Sequence, residues 1–161
     1  MTAISRPVPA QVDLQLRRQQ ADAFLGFSRI LRQVERRVTQ LLAQHDLSDV
    51  TPAQANVLMV LFQERQPLTA RQLAERMAIS QPTVGRFIHA LHRGGWVDRR
   101  PDPADSRAVL VRPTRRAFAA LPRFIQVSNT MLDEAFAGFS PQRVGRIART
   151  TRLIQDNLGE G

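Results

Sequence analysis

From Thr69 to Pro113 the chain passes through a helix start, a tight turn, a second capped helix, a double glycine and a basic pair of strands with no linker between them. Thr69-Ala70-Arg71-Gln72 carries the Thr-x-x-Gln pattern, in which a hydroxyl and a carboxamide each satisfy a helix-start amide of the other, and Leu73, Ala74 and Met77 then mark an inward face. Ala78-Ile79 makes the turn. Ser80 caps the next helix, and Pro82 is tolerated there because first-turn amides have no helical acceptor. Val84, Ile88 and Leu91, spaced i, i+4 and i+7 with Phe87 beside them, give that helix one side to bury, and its opposite side presents Gln81, Thr83, Arg86 and His89. After Gly94-Gly95, the segments from Trp96 to Arg100 and from Ala108 to Arg112 each suit a short strand, and the residues between them, with Pro101 and Pro103, are turn chemistry.

The flanks are helical. A loose arm covers residues 1–11, since Pro7 and Pro9 prevent an earlier helix start, and a long helix pattern follows from about Val12 to His45 with Phe24, Phe27, Leu31, Val34, Val38 and Leu41 on one stripe. Thr51-Pro52-Ala53-Gln54 starts a core helix bearing Val57, Leu58, Val60, Leu61 and Phe62. Thr114 caps another helix, which carries Phe118, Leu121, Phe124, Ile125 and Val127 and runs through Leu132 to Phe136; Pro122 predicts a kink or a split in it. Ser140-Pro141 opens a last helix with the stripe Val144, Ile147, Ala148, Thr151, Ile154 and Leu158. The fold class is therefore mainly α with a small two-stranded β wing. A winged helix-turn-helix module over residues 51–113 lies between terminal helices at 12–50 and 114–158, whose apolar stripes are most cheaply satisfied across a two-fold axis, as in a homodimer.

Composition narrows the chemistry. All 23 basic residues are arginines, and the net charge is +9. Between Thr69 and Arg116 ten arginines face four acids, an excess of six, so the charge is concentrated on the module. Arginine forks onto phosphate and guanine, and a helix-turn-helix is the element that lays its second helix in the DNA major groove; duplex DNA is the partner this implies. On that reading Arg86 is a bidentate guanine reader or a phosphate clamp, Gln81 reads adenine, and Thr83 meets a base methyl or a phosphate. Ser80, Pro82 and His89 share the face, and Arg71 and Gln72 approach from the preceding helix. At the wing Arg107 probes the minor groove or the backbone, with Asp105 able to orient its guanidinium; an ion pair across the hairpin is the other reading. Trp96 and Phe87 are read as core.

With no cysteine, disulfides, thiolate metal sites and thiol sensing are excluded. His45, His89 and His92 share no spacing that would close a metal site, and Asp102 and Asp105 lack a pocket, a nucleophile or an oxyanion donor, so neither a metal, a cofactor nor an enzyme is expected. The longest aliphatic run, Val57 to Phe62, is far too short to span a bilayer, and no signal-type h-region opens the chain; a cytoplasmic protein with no membrane partner is expected.

Gly95-Trp96-Val97-Asp98-Arg99, followed by Asp102-Pro103-Ala104-Asp105-Ser106-Arg107-Ala108-Val109-Leu110-Val111-Arg112-Pro113-Thr114, resembles the wing signature of the multiple-antibiotic-resistance regulator (MarR) family, and Ser80-Gln81-Pro82-Thr83-Val84 is similar to the start of that family's recognition helix. The resemblance covers about Thr51 to Thr114 in sequence and the flanks only in pattern. It implies a homodimer with a base of N- and C-terminal helices, two winged modules reading a pseudo-palindromic operator, and repression relieved by a small, often phenolic or anionic, effector whose binding residues are unknown. By position Asp105 and Arg107 match the wing-tip pair, and Ser80 to Thr83 with Arg86 match the DNA-reading helix start. Three departures stand out: Ser106 in place of a basic wing-tip residue, Pro113 and Ala117 where Leu and Gly are common, and Gly85 inside the recognition helix, which costs up to about 1 kcal/mol against Ala and permits close approach to DNA. The alternative from another class is a winged adaptor whose basic face meets an acidic protein partner.

Overall fold

The computed structural model describes residues 13–105 and 107–159; the arm at 1–11 and Ser106 lie outside the described residues. Six helices and three strands follow in the order α1 (Leu14–Gln44), α2 (Pro52–Gln63), β1 (Leu68–Thr69), α3 (Ala70–Met77), α4 (Gln81–Arg93), β2 (Val97–Pro101), β3 (Val109–Pro113), α5 (Arg115–Ala135) and α6 (Pro141–Gly159). The chain divides into two compact units, Met1–Arg36 and Arg37–Gly161, with the cut inside α1. In the first unit Asp13 starts the helix, its Oδ1 accepting from the amides of Gln15 and Leu16 at 3.0 Å, and Phe24, Leu25, Phe27, Ile30 and Leu31 all stay exposed.

The second unit holds the core. Leu41 and Leu42 at the end of α1, Val57, Leu58 and Leu61 of α2, Leu73 of α3, Val84, Ile88 and Leu91 of α4, and Phe124 and Val127 of α5 are buried in a single cluster. Both Thr-x-x-Gln starts close as reciprocal caps: Gln54 N donates to Thr51 Oγ1 while Thr51 N donates to Gln54 Oε1, and Gln72 N donates to Thr69 Oγ1 at 3.2 Å while Thr69 N donates to Gln72 Oε1 at 2.8 Å. The wing strands β2 and β3 pair antiparallel as the pattern predicts, with Asp98 opposite Arg112 and the two prolines confined to strand ends, where a missing amide is harmless. A third strand joins them: Leu68 pairs with Val111 and Thr69 with Leu110, giving the sheet order β1-β3-β2. That short strand ties the start of α3 to the wing.

Pro122 does not split its helix. α5 is continuous over 21 residues; Pro122 sits on its exposed side, while Ala117 and Ala120 before it and Phe124 and Val127 after it are buried, so packing on both sides holds the helix through the break in its amide ladder. Arg37 of α1 grips Glu134 of α5 through two bonds, Nε to Oε2 at 2.7 Å and the second amino nitrogen to Oε1 at 2.5 Å.

Two outcomes follow from these contacts. Ala78, the residue that closes α3 and opens the turn, is held at φ +52°, a left-handed conformation that a Cβ disfavours, so Ala78→Gly should raise unfolding stability by about 1 kcal/mol in a denaturant titration. The Arg37 bonds hold the Glu134 carboxyl below the ordinary carboxylate range. A lowered folded-state value stabilises at pH above the unfolded one, about 4.3, and the effect is lost as pH falls through the folded value. Thermal unfolding of Glu134→Gln should therefore fall short of the parent at pH 7, and the gap should close in acid; an equal gap at both pH values would contradict the assignment.

Candidate nucleic-acid interface

The front of α4 is assembled from its own first turn. Ser80 Oγ and Thr83 Oγ1 lie 2.8 Å apart, Thr83 N donates to Ser80 Oγ at 3.4 Å, and an Arg86 amino nitrogen reaches Thr83 Oγ1 at 3.4 Å. Ser80, Gln81, Pro82, Arg86 and His89 are exposed, and Thr83 is half-buried. Because Val84, Ile88 and Leu91 are fully committed to the core, the helix cannot rotate this face away from solvent.

The wing stands beside it. A groove of about 380 Å³ is lined by Ala70 and Arg71 at the start of α3, Gln81, Gly85 and Ile88 of α4, and Arg99, Asp102, Asp105 and Arg107 of the wing. It brings together four of the residues expected from sequence, Arg71, Gln81, Asp105 and Arg107; Arg86 and His89 lie on α4 outside it. Arg99 of β2, one of the ten arginines of this stretch, joins those four in the groove. Its signal was the strand alternation that puts it opposite Val111 in the β2–β3 register.

Several side chains are engaged differently from expectation. Asp105 Oδ1 accepts from the backbone amide of Arg107 at 2.9 Å, so it shapes the wing tip and leaves the Arg107 guanidinium exposed toward solvent. Asp102 does the same for Ala104 N at 2.9 Å. These are the short side-chain turns that Asp makes two residues on. The Gln72 carboxamide oxygen is used by the α3 cap. Arg71 pairs with Glu75 at 3.0 Å, a fully exposed contact of little energetic weight that a phosphate can displace. Arg76 pairs with Glu64 and Arg116 with Asp49, two acids outside the Thr69–Arg116 window, so the local excess of six falls to four. Arg86, Arg99, Arg100 and Arg107 form no ion pair among the described residues, and these are the charges on the face of α4 and the wing. Also among the described residues, no group of three or more His, Cys, Asp or Glu is placed to hold a metal, and no helix is long and apolar enough to cross a membrane.

A capped helix with a polar outer face, next to a basic antiparallel wing, defines a winged helix-turn-helix module. Residues 48–108 match the MarR family. The chain is 26% identical over 76 residues to the HTH-type transcriptional repressor IacR of Pseudomonas putida, a stretch covering 47% of this chain and 46% of that protein, so the match spans under half the length of this curated relative. Among solved structures, the S. aureus MepR–DNA complex shares the fold at a TM-score of 0.74 with 22% identity, over 83% of this chain and 96% of that one. The organohalide-sensing regulator RdhR-CbdbA1625, in its 2,4-dichlorophenol-bound form, aligns at 0.77 with 14% identity over 97% and 89%. The stretch 48–108, which spans the helix-turn-helix and most of the wing, is thus similar to the MarR family, and the solved structures show that the chain as a whole shares that fold.

Gly85 is the one position on the α4 face without a side chain, and a Cβ built there meets nothing within 4 Å. Gly85→Ala should thus stabilise the fold, by up to about 1 kcal/mol through helix propensity. If the bare backbone serves close approach to DNA, the same variant should bind duplex more weakly while melting higher; a rise in both would assign Gly85 no such role.

Proposed function

We propose that the protein is a homodimeric repressor that reads a pseudo-palindromic operator with the α4 face and the wing, and that a small aromatic or anionic ligand releases it. The observation that carries this reading is the unpaired basic surface of α4 and the wing, set on a helix whose other side is locked into the core. Arg86 is the guanine reader, worth about 1 to 3 kcal/mol of discrimination. Gln81 reads adenine, and Thr83 meets a thymine methyl or phosphate; Ser80, Pro82 and His89 complete the face. Arg71 and Gln72 contact the backbone from α3, and Arg107 with its neighbours Asp105 and Ser106 reaches the backbone or minor groove from the wing.

In this reading residues 12–50 and 114–158 form the dimer base and 51–113 the DNA-binding module. Support comes from the apolar side chains left exposed: Phe24, Leu25 and Leu31 in the first unit, and Leu132, Leu153 and Leu158 in the second. Surfaces of this kind mark association. Repression and ligand release are supported by relatives: IacR is named a repressor, MepR was solved with DNA and RdhR-CbdbA1625 with a dichlorophenol. A ligand acts here only through its difference in affinity for the DNA-competent and DNA-incompetent arrangements of the dimer.

Two half-sites about 10 base pairs apart centre to centre are expected. With about eight phosphates neutralised per dimer, the log-log dependence of binding on salt should have a slope near −7. Arg86→Ala should flatten the preference among sequences, whereas Arg107→Ala should weaken all sequences alike; a salt-independent affinity, or the same loss of preference in both variants, would contradict the assignment. A gel shift on the DNA upstream of the protein's own gene, repeated with aromatic acids, tests the release.

A further inference from the structure

The C-terminal end of α4 is clamped by residues outside the proposed DNA-facing surface, gathered around one aromatic member of the buried core, Trp96. Trp96, three residues beyond Arg93 at the end of the helix, is 2% exposed, and its Nε1 donates to Asp49 Oδ2 at 3.0 Å. Arg116, in the first turn of α5, lays its guanidinium over the same indole with its central carbon 3.9 Å from the ring centroid. One of its amino nitrogens bonds the same Asp49 Oδ2 at 2.9 Å, and the other bonds the carbonyl oxygen of Gly94, the residue that closes α4. The loop before α2, the end of α4 and the start of α5 therefore meet on one indole.

The local backbone is built around this contact. Gly94 has a helical φ of −76° that any residue adopts, yet a Cβ there would lie 2.9 Å from Trp96 Cδ1, so the absence of a side chain serves the close passage over the ring. Gly95 turns the chain at φ +72°, and Thr114 Oγ1 donates to the Gly95 carbonyl at 2.8 Å. Phe124 packs edge-on to the indole at 5.7 Å. The stacked, doubly bonded guanidinium uses what arginine has and lysine lacks, a planar fork with a flat π face.

We infer that Arg116 and Asp49 are positioning residues for sequence reading: through Trp96 and Gly94 they fix the angle at which α4 leaves the module relative to α5, and so the pose of Arg86 and Gln81 at the base edges. The inference rests on the proposed reading of α4 as the DNA-facing helix and goes beyond it, since neither residue touches DNA. Arg116 thus directs its charge to partners within the protein, Asp49 and the Gly94 carbonyl, although it lies in the most basic stretch of the sequence.

The test compares the parent, Arg116→Ala, Arg116→Lys and Asp49→Asn below the unfolding transition of each. Two duplexes of equal length are used, one enriched by the parent protein from a random pool and one unrelated. Arg116→Ala should lose about tenfold in affinity for the enriched duplex and stay within about twofold on the unrelated one, because pose governs base contacts and not phosphate number. Trp96 is the only tryptophan in the chain, so intrinsic fluorescence reports the clamp directly: acrylamide quenching should rise in Arg116→Ala and be only partly restored by Arg116→Lys. Asp49→Asn keeps an acceptor for Trp96 Nε1 but removes the charge opposite Arg116; it should reproduce the loss in milder form and serves if Arg116→Ala does not fold. Equal losses on both duplexes would make Arg116 a phosphate contact, and parental affinity on both would make the clamp irrelevant to reading; either overturns the inference. A parent protein that enriches no sequence would instead sink the proposed function, and the quenching comparison would still report whether Arg116 shields the indole.

Discussion

Everything that the proposed function asks the molecule to present to DNA depends on the burial of one side of α4. Val84, Ile88 and Leu91 are inside the shared core, and a helix pinned at three successive turns has no freedom about its own axis. Its remaining side chains must then point outward in a fixed order, Gln81 and Thr83 near the cap and Arg86 and His89 further on. Removing buried methylenes from such a site typically costs 2 to 5 kcal/mol, about what a small module can spare, so the same three residues that orient the helix also hold the module together. Stability and presentation are thus one property of α4 rather than two.

The wing and the helix cooperate through backbone rather than through side-chain pairs. β1 connects α3 to β3, and β3 carries β2, so the turn of the helix-turn-helix and the tip of the wing share one small sheet. At the tip, Asp102 and Asp105 accept from backbone amides, and this gives the loop a shape without spending the Arg107 charge. Of the four acids within the basic stretch, Asp102 and Asp105 shape backbone, Asp98 pairs across strands with Arg112 and Glu75 pairs along α3 with Arg71, which leaves Arg86, Arg99, Arg100 and Arg107 uncompensated among the described residues.

What was legible in the sequence was local. Both capping boxes, the Ser80 cap, the buried stripe of α4, the core placement of Trp96 and the two wing strands follow from residues within one or two turns of each other. What was not legible depends on distant partners. Leu68-Thr69 is too short to announce a strand, and its pairing with Val111 and Leu110 joins segments some forty residues apart. The clamp on Trp96 needs Asp49 and Arg116, 67 positions apart, and nothing in either neighbourhood marks them. Pro122 allowed a kink or a split, and the split is the alternative removed, because Ala117, Ala120, Phe124 and Val127 anchor one continuous helix on both sides of it. The charge count overstated the basic surface for the same reason, because Glu64 and Asp49 reach in from outside the window.

The chain has no cysteine, so a single one introduced at will is an unambiguous probe. The most direct measurement is disulfide cross-linking of Gln81→Cys, on the α4 face, and of Gln142→Cys, on α6, to a duplex carrying a thiol tether in the major groove of the enriched sequence. The account predicts rapid cross-linking at position 81 and none above background at 142. Equal trapping at both positions, or trapping at 142 alone, would contradict the claim that α4 enters the groove.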